Sequence, residues 1–509
     1  MFSSLKKYWS KPGEGRYLSI KEIACFGGGG MGIYLVSAVM GTFISAFKIP
    51  EIYSIGVEHG QIIFFIASTA GLFAQPLFGK LLHKTKTKWG KYKPYLMFMA
   101  PVVGVFVLAA TWLPDPNNSQ EGLRALQAYL TCVPALILYN VWINLFNMMP
   151  AVITPNQQER SDIWSPIGLI INLAPSLFNP LSMWFRSSIL GSDPSKEFLV
   201  IRFMGAVSVA FSIVLVMLML KVKERVYETE KKVEKIKISE GLKLVLQNKP
   251  LMILTLALTL GCLRSVADMS SETIGRLRYA ETFKDGLEIF GTLTLVTGFA
   301  ATPNMIILPL LARKFNNRTI MLGWQIFSTL SYVALAAVGS ANLQVGLQST
   351  IVLTAAKFCA GFNAIGSLIP LMLSEIYDYQ QWKTGKRLEG FIQTFAYAVV
   401  GFVSQIAMFI PVAIQKHIGY NPKDYFNVER ESVAPEVLAR ATEYFDIALL
   451  ISAVSGILMI LALLFYNLDK KKYAQIMAEL KARKLNTVDG EKTAETTANA
   501  AAAETGTAG

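Results

Sequence analysis

The chain has 509 residues, of which 53% are hydrophobic and only 16% are charged. An ordinary soluble domain carries roughly 25% charged residues, so this composition excludes a water-soluble globular protein of this length. A formal net charge of +13 is typical of a nucleic-acid-binding protein. A membrane protein can have the same charge if its basic residues are concentrated in the loops on one side.

Long apolar stretches recur along the whole chain. A bilayer core about 30 Å thick needs roughly 20 apolar residues in a helix, and such segments must be helical because lipid offers no partner for a free backbone amide. The first stretch is too long for a signal peptide and precedes no small-residue cleavage site, so we interpret it as an uncleaved helix. The sequence predicts twelve transmembrane helices, at 23–47, 59–82, 94–113, 125–154, 163–190, 197–220, 250–274, 288–311, 319–340, 346–373, 389–415 and 443–466.

We therefore predict an all-α membrane protein with twelve transmembrane helices in two six-helix halves. Most Lys and Arg fall in the N-terminus, alternate loops and the C-terminal tail, which places both termini in the cytoplasm by the positive-inside rule. The charge thus reports orientation and does not indicate nucleic acid. The predicted divisions are a cytoplasmic N-terminus (1–22), a first half (23–220), a cytoplasmic central segment (221–249), a second half (250–466) and a cytoplasmic tail (467–509).

Two segments outside the spans have a recognisable character. ISEGLKLVLQNKP in the central segment has apolar residues at helical spacing, which predicts a short amphipathic helix on the inner membrane surface that breaks at Pro250. The tail turns to Thr, Ala, Gly and Glu after Leu485, and we predict disorder from about residue 486 because large apolar residues are lacking.

The two halves share a weak repeat. The second span ends in PLFGK (76–80) and the eighth in PLLAR (309–313), each before a short basic inner loop. This correspondence favours a duplicated plan in which substrate binds at the midplane between the halves.

The loop after the second span, HKTKTKWGKYKPY, carries five lysines and no acid. One interpretation is topogenic charge with contacts to lipid headgroups. The other is a hinge that holds the inner ends of helices together in one state. Gly90 permits a tight turn, and Pro94 can start the third span.

Four segments resemble the glycoside-pentoside-hexuronide:cation symporter family of the major facilitator superfamily, the melibiose-carrier-like proteins. The lysine loop keeps the family's two Thr, Gly, basic residue and Pro at the same spacing, with His83 in place of its first acid. EIYDYQQWKTGKRLEG resembles the family's DYxEWKTGKRxEG, and KERV, NKP and YNLDKKKYAQIMAELKARK also match in order. The resemblance implies the major facilitator fold and a sugar carrier that works by alternating access.

Charged residues surround two junctions at the predicted inner ends of the helices. The resemblance implies that Arg160 and the Glu375/Asp378 pair lock the inner side. The alternative is a solvated charged loop, in which each exposed pair contributes about 0.2–1 kcal/mol. The predicted gating residues are Lys93, Arg160, Glu375, Asp378, Lys383, Arg387 and Glu389.

Ionisable residues inside the predicted spans are candidates for function. Lys357 lies about 16 Å into the tenth span at 1.5 Å per residue, which marks a functional residue by default, with snorkelling as the alternative. Arg264 and Asp268 are four residues apart and so share a helix face. They bind each other, Lys357 or substrate, or they cap a helix end.

Neutral polar residues form a stripe on the fourth span. Asn140, Asn144 and Asn147 share one face, where they bind sugar hydroxyls or hydrogen-bond to other helices. Trp142, Trp164, Trp184 and Trp324 are candidates for stacking on a sugar ring or for interface belts. The predicted substrate-binding residues are Tyr34, Gln75, Asn140, Asn144, Asn147, Arg264, Asp268 and Lys357.

The chain departs from the family at its cation site. Cation-coupled members place acids in helices one, two and four, and often a lysine in helix eleven. In those places this chain has Gly32, Gly71 and Gln75, Ile143 or Asn144, and Gly401. Sodium usually needs at least one carboxylate ligand, and proton coupling needs a titratable group. Coupling therefore uses Asp268, Glu272 or Lys357, or the protein is a uniporter.

The predicted function is secondary transport of a sugar, glycoside or uronide across the inner (plasma) membrane. H+ or Na+ are the candidate coupling ions, membrane lipids the neighbours and a monomer the expected state. The four cysteines and three histidines have no ligand spacing, so no metal and no cofactor are predicted, and no catalytic motif indicates an enzyme. The alternatives are an uncoupled uniporter, an efflux carrier for amphipathic compounds and a non-transporting sugar sensor.

Overall fold

The computed structural model of the chain describes residues 9–12, 15–84, 87, 89–114, 120–155, 157–190, 196–225, 238–267, 282–338, 347–361, 365–385, 389–421, 430–480 and 482. Within those residues the protein is helical, apart from turns, short connections and one β-bridge between Thr87 and Gly90. The first helices are α1 (Ile20–Phe43), α2 (Lys48–Tyr53), α3 (Val57–Lys84), α4 (Lys93–Trp112), α5 (Glu121–Ile153), α6 (Gln157–Leu190) and α7 (Glu197–Val216), which continues as a 3-10 helix (Met217–Lys221).

The remaining helices follow the central segment. They are α8 (Ile238–Leu246), α9 (Lys249–Leu260), α10 (Phe283–Lys314), α11 (Asn317–Val338), α12 (Leu347–Gly361), α13 (Ile365–Thr384), α14 (Glu389–Ala407), α15 (Phe409–Ile418), a 3-10 turn (Arg430–Ser432), α16 (Pro435–Leu464) and α17 (470–480).

Helix length and composition fit a bilayer. In the described part of the chain, eight segments are long and apolar enough to cross it: α1, α4, α5, α6, α7, α11, α14 with α15, and α16. They coincide with eight of the predicted spans, and the other four predicted spans fall on α3, α9, α10, and α12 with α13. Large side chains face outward, among them Phe98, which is 69% exposed, as expected where lipid replaces water. The all-helical membrane fold is confirmed.

Two predicted boundaries are wrong. The first helix runs from Ile20 to Phe43 rather than over 23–47, because Ser19 caps it: the Glu22 amide donates to Ser19 Oγ at 3.3 Å and the Glu22 carboxylate accepts from Ser19 N at 3.2 Å. The tenth span, predicted to end at 373, ends in α13, which extends to Thr384. Glu375 therefore lies within a helix rather than in a loop.

Buried apolar side chains divide the chain into two halves. The largest hydrophobic cluster takes its buried members from residues 18–222, and two further clusters take theirs from residues 245–476. A fourth, small cluster joins the two sets, with Met183 and Val200 packed against Leu287. We refer to these as the first half and the second half. Following the predicted orientation, we call the end with Lys93 and Lys383 the inner end and the end with Glu58 and Lys416 the outer end.

At the inner end of the first half, the carboxylate of Glu224 holds the start of α4. It accepts hydrogen bonds from the backbone N–H groups of Lys91, Tyr92 and Lys93 at 2.7, 3.1 and 2.9 Å. Gly90 has φ +114°, and a Cβ there would lie 2.4 Å from the Glu224 carboxyl carbon. Only glycine leaves room for this carboxylate, which also suits the positive end of the α4 dipole.

The next residue, Arg225, joins two more helices to this end. Its backbone N–H donates to Val152 O at 2.8 Å, and its guanidinium pairs with Glu22 on α1 at 2.8 Å. The KERV segment therefore ties together the inner ends of α1, α4 and α5, directly after α7.

The second half has a comparable arrangement at its inner end. The Asn248 side chain caps α9 by accepting from Leu251 N at 3.1 Å, and it donates to Gln380 Oε1 at 2.8 Å. The amphipathic segment forms α8, and Val245 on it is fully buried. Gly241 of α8 lies against the Phe391 ring of α14, so this face of α8 packs on protein.

Replacing Gly90 with Ala should destabilise the first half, because the new Cβ would meet the Glu224 carboxylate at a backbone angle that side chains rarely adopt. We expect a loss of about 1–3 kcal/mol, measured as a lower unfolding temperature of the purified protein in detergent. Gly122→Ala is the matched control, since nothing lies within 4 Å of its Cβ position. Equal losses in both variants would contradict this account.

Candidate functional site

The two halves contact each other at the outer end, where α6 of the first half packs on α10 of the second. Glycines allow the close approach. A Cβ on Gly291 would lie 2.9 Å from Trp184 Nε1, and one on Gly298 would lie 3.4 Å from Ser176 Cβ. These glycines are seven residues apart and so lie on one face of α10, as at other close membrane-helix contacts.

A second contact joins α3 to α14 and α15. The Gln61 side chain is 1% exposed and its Nε2 donates to Gln405 O at 2.9 Å and to Gln405 Oε1 at 3.1 Å. The Phe65 ring lies 6.0 Å from that of Phe402. A buried amide needs such partners, so separation of the halves has to replace these bonds with water or substrate.

An ion pair completes the outer contact. Glu58 on α3 and Lys416 on α15 lie 2.9 Å apart, and both remain partly exposed. The first-half face of the contact is itself anchored, because Arg186 on α6 forms a buried ion pair with Glu197 on α7. The outer end is therefore closed. The contacts between the halves are mostly between neutral groups, whereas the contact that anchors the first half internally is an ion pair.

Sequence reasoning missed these contact residues. Gln61, Gln405 and Gly291 carry no charge and match no motif that we used. Two signals could have found them: the seven-residue spacing of glycines in α10, and single charges at the ends of two spans, Glu58 and Lys416.

The predicted substrate residues of the first half lie close together on α1 and α5. Asn140 and Asn144 are half-buried, and Asn144 Nδ2 donates to Asn140 O at 2.8 Å, which leaves its Oδ1 as an acceptor. Asn147 is exposed, one turn nearer the inner end. The Tyr34 ring packs edge-on against Phe146 at 6.5 Å. The side chain of Gln75 lies outside the described residues.

The prediction that Trp142 offers a face for sugar stacking is wrong. Its side chain is 0% exposed, and its indole N–H donates to Leu96 O at 2.8 Å. Trp142 therefore joins α5 to α4 inside the first half. Trp184 also serves packing, at the α6–α10 contact described above.

The predicted substrate residues of the second half are placed differently from one another. Lys357 on α12 lines a small enclosed cavity of about 20 Å³ together with Phe290, Tyr332 and other apolar residues of that half. Arg264 lies in a turn after α9, where its Nη1 donates to Gly261 O at 2.9 Å. It is thus not on a continuous helix face. Asp268 lies outside the described residues.

The described gating residues each contact their own half. Lys93 Nζ donates to Val222 O and Lys383 Nζ to Gln247 O, both at 2.9 Å. Glu375 accepts from Asn317 Nδ2 at 2.8 Å, and Asp378 accepts from the Tyr473 hydroxyl at 2.7 Å. Arg387 and the side chains of Arg160 and Glu389 lie outside the described residues, so a lock between the halves stays a prediction.

No cluster of three or more His, Cys, Asp or Glu residues suited to a metal occurs in the described ranges. The described helix-one position also lacks an acid, and the helix-eleven position lacks a lysine: a Cβ on Gly32 would lie 2.8 Å from Ser212 O on α7, and Gly401 is exposed on α14. Close packing of α1 on α7 therefore explains glycine at the first position.

The family model described as "MFS/sugar transport protein" matches residues 25–470. Among curated proteins, "Uncharacterized symporter YnaJ" of Bacillus subtilis (strain 168) is 25% identical over 92% of this chain and 96% of its own. "Isoprimeverose transporter" of Lactiplantibacillus pentosus is 24% identical over 89% and 88%. "Glucuronide carrier protein homolog" of Escherichia coli (strain K12) is 22% identical over 87% and 92%.

Solved structures share the architecture at low identity. The nucleoside transporter NupG matches with a TM-score of 0.57 at 11% identity, over 87% of this chain and 99% of its own. A D-xylose-proton symporter matches with a TM-score of 0.51 at 13% identity, over 88% and 96%. At such identities the likeness shows the major facilitator fold alone.

Filling the glycine contact should hold the outer end open. With the four native cysteines replaced by Ser, the pair Gln61→Cys and Gln405→Cys should form a disulfide across the halves. Adding Gly291→Leu should reduce that crosslink by more than about tenfold, because a leucine cannot fit beneath Trp184. Gly323→Leu is the control, since space is open at that helical glycine. Undiminished crosslinking with Gly291→Leu would contradict this role.

Proposed function

Because the chain belongs to the MFS/sugar transport protein family, we propose that it carries a sugar or glycoside across the membrane by alternating access. Membership confirms the resemblance to the glycoside-pentoside-hexuronide carriers. The chain is a multi-pass membrane transporter and not an enzyme. The twelve-helix topology with both termini in the cytoplasm remains part of the proposal, supported by the distribution of Lys and Arg.

The closed outer end is the observation that supports alternating access most directly. Two halves, each with its own large core, contact each other through glycines, a pair of amides, aromatic rings, a small apolar cluster and an exposed ion pair. The polar contacts are individually weak, about 1 kcal/mol for a typical hydrogen bond and less for a surface ion pair. We interpret the structure as a state with its outer side closed.

The substrate is proposed to bind on the half-buried amides below this closure. Asn140, Asn144 and Tyr34 supply donors and acceptors for hydroxyl groups, and Gln75 and Asn147 remain proposed members of the site. Isoprimeverose and glucuronide appear in the names of relatives, so both a neutral glycoside and a uronide belong among the candidates. Lys357, Arg264 and Asp268 would act toward a charged substrate group, and Lys357 and Asp268 remain candidates for coupling.

Coupling to a cation is the weaker part of the family analogy. The glycines at the family's acidic positions cannot bind sodium through a side chain, and at Gly32 the neighbouring helix occupies the space. We therefore propose weak sodium dependence, with an uncoupled uniporter as the second candidate.

Uptake into membrane vesicles tests both the proposed sugar transport and its proposed weak dependence on sodium. We expect saturable uptake of at least one labelled sugar from a panel of neutral glycosides and uronides, and nearly equal rates in sodium, lithium and choline buffers at fixed pH. Vesicles without the protein are the control. Absence of uptake across the panel would overturn sugar transport, and a steep, saturable sodium response would overturn the weak coupling.

Reversing one charge of the outer ion pair should change the balance between open and closed states. Lys416→Glu places two acids together, and we expect uptake to change by up to about fivefold, the equivalent of about 1 kcal/mol. The exchanged pair, Glu58→Lys with Lys416→Glu, should restore the wild-type rate. Lys284→Glu, which breaks an exposed pair within α10, is the matched control. Failure of the exchanged pair to recover would remove the ion pair from the closure.

A further inference from the structure

Three elements meet around one carboxyl group at the inner end of the second half. Glu375 lies on α13, Asn317 begins α11, and Tyr466 follows the end of α16. Asn317 Nδ2 donates to Glu375 Oε1 at 2.8 Å. The Tyr466 hydroxyl is fully buried, has no hydrogen-bond partner among the described residues and lies within electrostatic range of Glu375.

Among the described residues, the charged groups on the neighbouring elements do not form an ion pair with Glu375. Asp378, three residues further along α13, adds a second negative charge. On α11, the guanidinium of Arg318 donates to the carbonyls of Leu463 and Leu464. On α17, Lys472 Nζ lies 5.9 Å from the centre of the Tyr379 ring. Glu375 is therefore poised to accept a proton.

Glu375 lies beyond the predicted span 346–373, so it exchanges protons with the solution on the inner side. Burial raises the pKa of this carboxyl to about 7, the Asn317 hydrogen bond opposes that rise, and the Asp378 charge adds to it.

The same part of α13 holds the C-terminal helix. The Tyr473 hydroxyl of α17 donates to Asp378 Oδ2 at 2.7 Å, and Trp382 Nε1 donates to Glu479 Oε2 at 2.6 Å. Ile476 is buried in the same cluster as Tyr466. Whatever changes the charge beside Asp378 therefore acts on the docking of α17.

We propose that Glu375 is a proton-binding site that makes the docking of α17 on α13 depend on pH. With the proton bound, Glu375 is neutral and α17 stays docked. With the proton lost, the half-buried Glu375 carries a charge one turn from Asp378, which accepts from Tyr473 of α17, and docking weakens. The proposal does not depend on which sugar is carried or on cation coupling.

The direction follows from linkage. A carboxyl whose pKa is higher with α17 docked than with α17 released stabilises the docked form at low pH. That stabilisation is present below the pKa of the released form and is lost as the pH rises through the raised pKa of about 7. A mildly acidic cytoplasm would therefore favour docking, and an alkaline one would favour release.

Hydrogen–deuterium exchange of the full-length protein in detergent tests this without any transport measurement. After correction for the intrinsic exchange rate, the protection of residues 470–480 should fall between pH 6 and pH 8. Because one proton is released, protection should fall by at most about tenfold per pH unit above the transition. Glu375→Gln should keep high protection at both values. Glu436→Gln, an exposed acid at the start of α16, should leave the wild-type response. No pH response in the wild type, or an unchanged one in Glu375→Gln, overturns the proposal.

Two further variants keep the test decisive if Glu375→Gln folds poorly. Asn317→Leu removes a hydrogen bond that favours the charged carboxylate, so the transition should move to higher pH. Asp378→Asn removes the neighbouring charge while keeping an acceptor for Tyr473, so the transition should move to lower pH. Shifts in the same direction, or none, would overturn the assignment to Glu375. Sugar uptake can succeed or fail independently of this result.

Discussion

Lipid leaves every backbone amide of a membrane-spanning segment to find its partner inside the protein, and the rest of this molecule depends on that constraint. Helices satisfy it along their length, but their first N–H groups stay open. At the inner end, side chains fill that need: Ser19 caps α1, Glu224 accepts three amides before α4, and Asn248 caps α9. Glu224 lies in KERV and Asn248 in NKP, two of the segments that match the family, and their contacts give those two matches a physical reason.

The contacts within a half differ in kind from those between the halves. Within each half, large clusters of aliphatic and aromatic side chains are fully buried. Between the halves, the described contacts are fewer and more mixed: glycines, a pair of glutamines, a partly exposed ion pair, some aromatic rings and one small apolar cluster. A carrier needs this difference, since its halves must separate while each keeps its own fold. Mutations within a half should therefore destabilise its fold. Mutations between the halves should instead shift the equilibrium between open and closed states.

The sequence was sufficient for the class of fold and the family, because apolar length and loop charge are properties of single segments. The contacts between segments were harder to predict from the sequence. Gln61 and Gln405 are far apart in sequence and neutral, so no spacing rule connects them. Trp142 matched the expectation for sugar stacking, yet tertiary packing used it inside the first half. Glu375 was expected in the loop after the tenth span, because that span was ended where the continuous apolar run stops, although Met372, Ile376 and Tyr379 continue a helical spacing into α13. The residue type alone indicated that these positions have a polar role. Which residue each of them contacts could be learned only from the three-dimensional structure.

The position of Glu224 and Arg225 in the chain has a consequence for biosynthesis. These residues hold the inner ends of α1, α4 and α5, yet they leave the ribosome after all of those helices. Helices made first must therefore wait in the membrane with open amides and an unpaired Glu22 until α7 has been inserted. The first half acquires its final order in one late step, and the ribosome is then about to make the segment that leads to the second half. A nascent chain that stops at residue 220 would contain every helix of the first half and still lack the residues that hold them together.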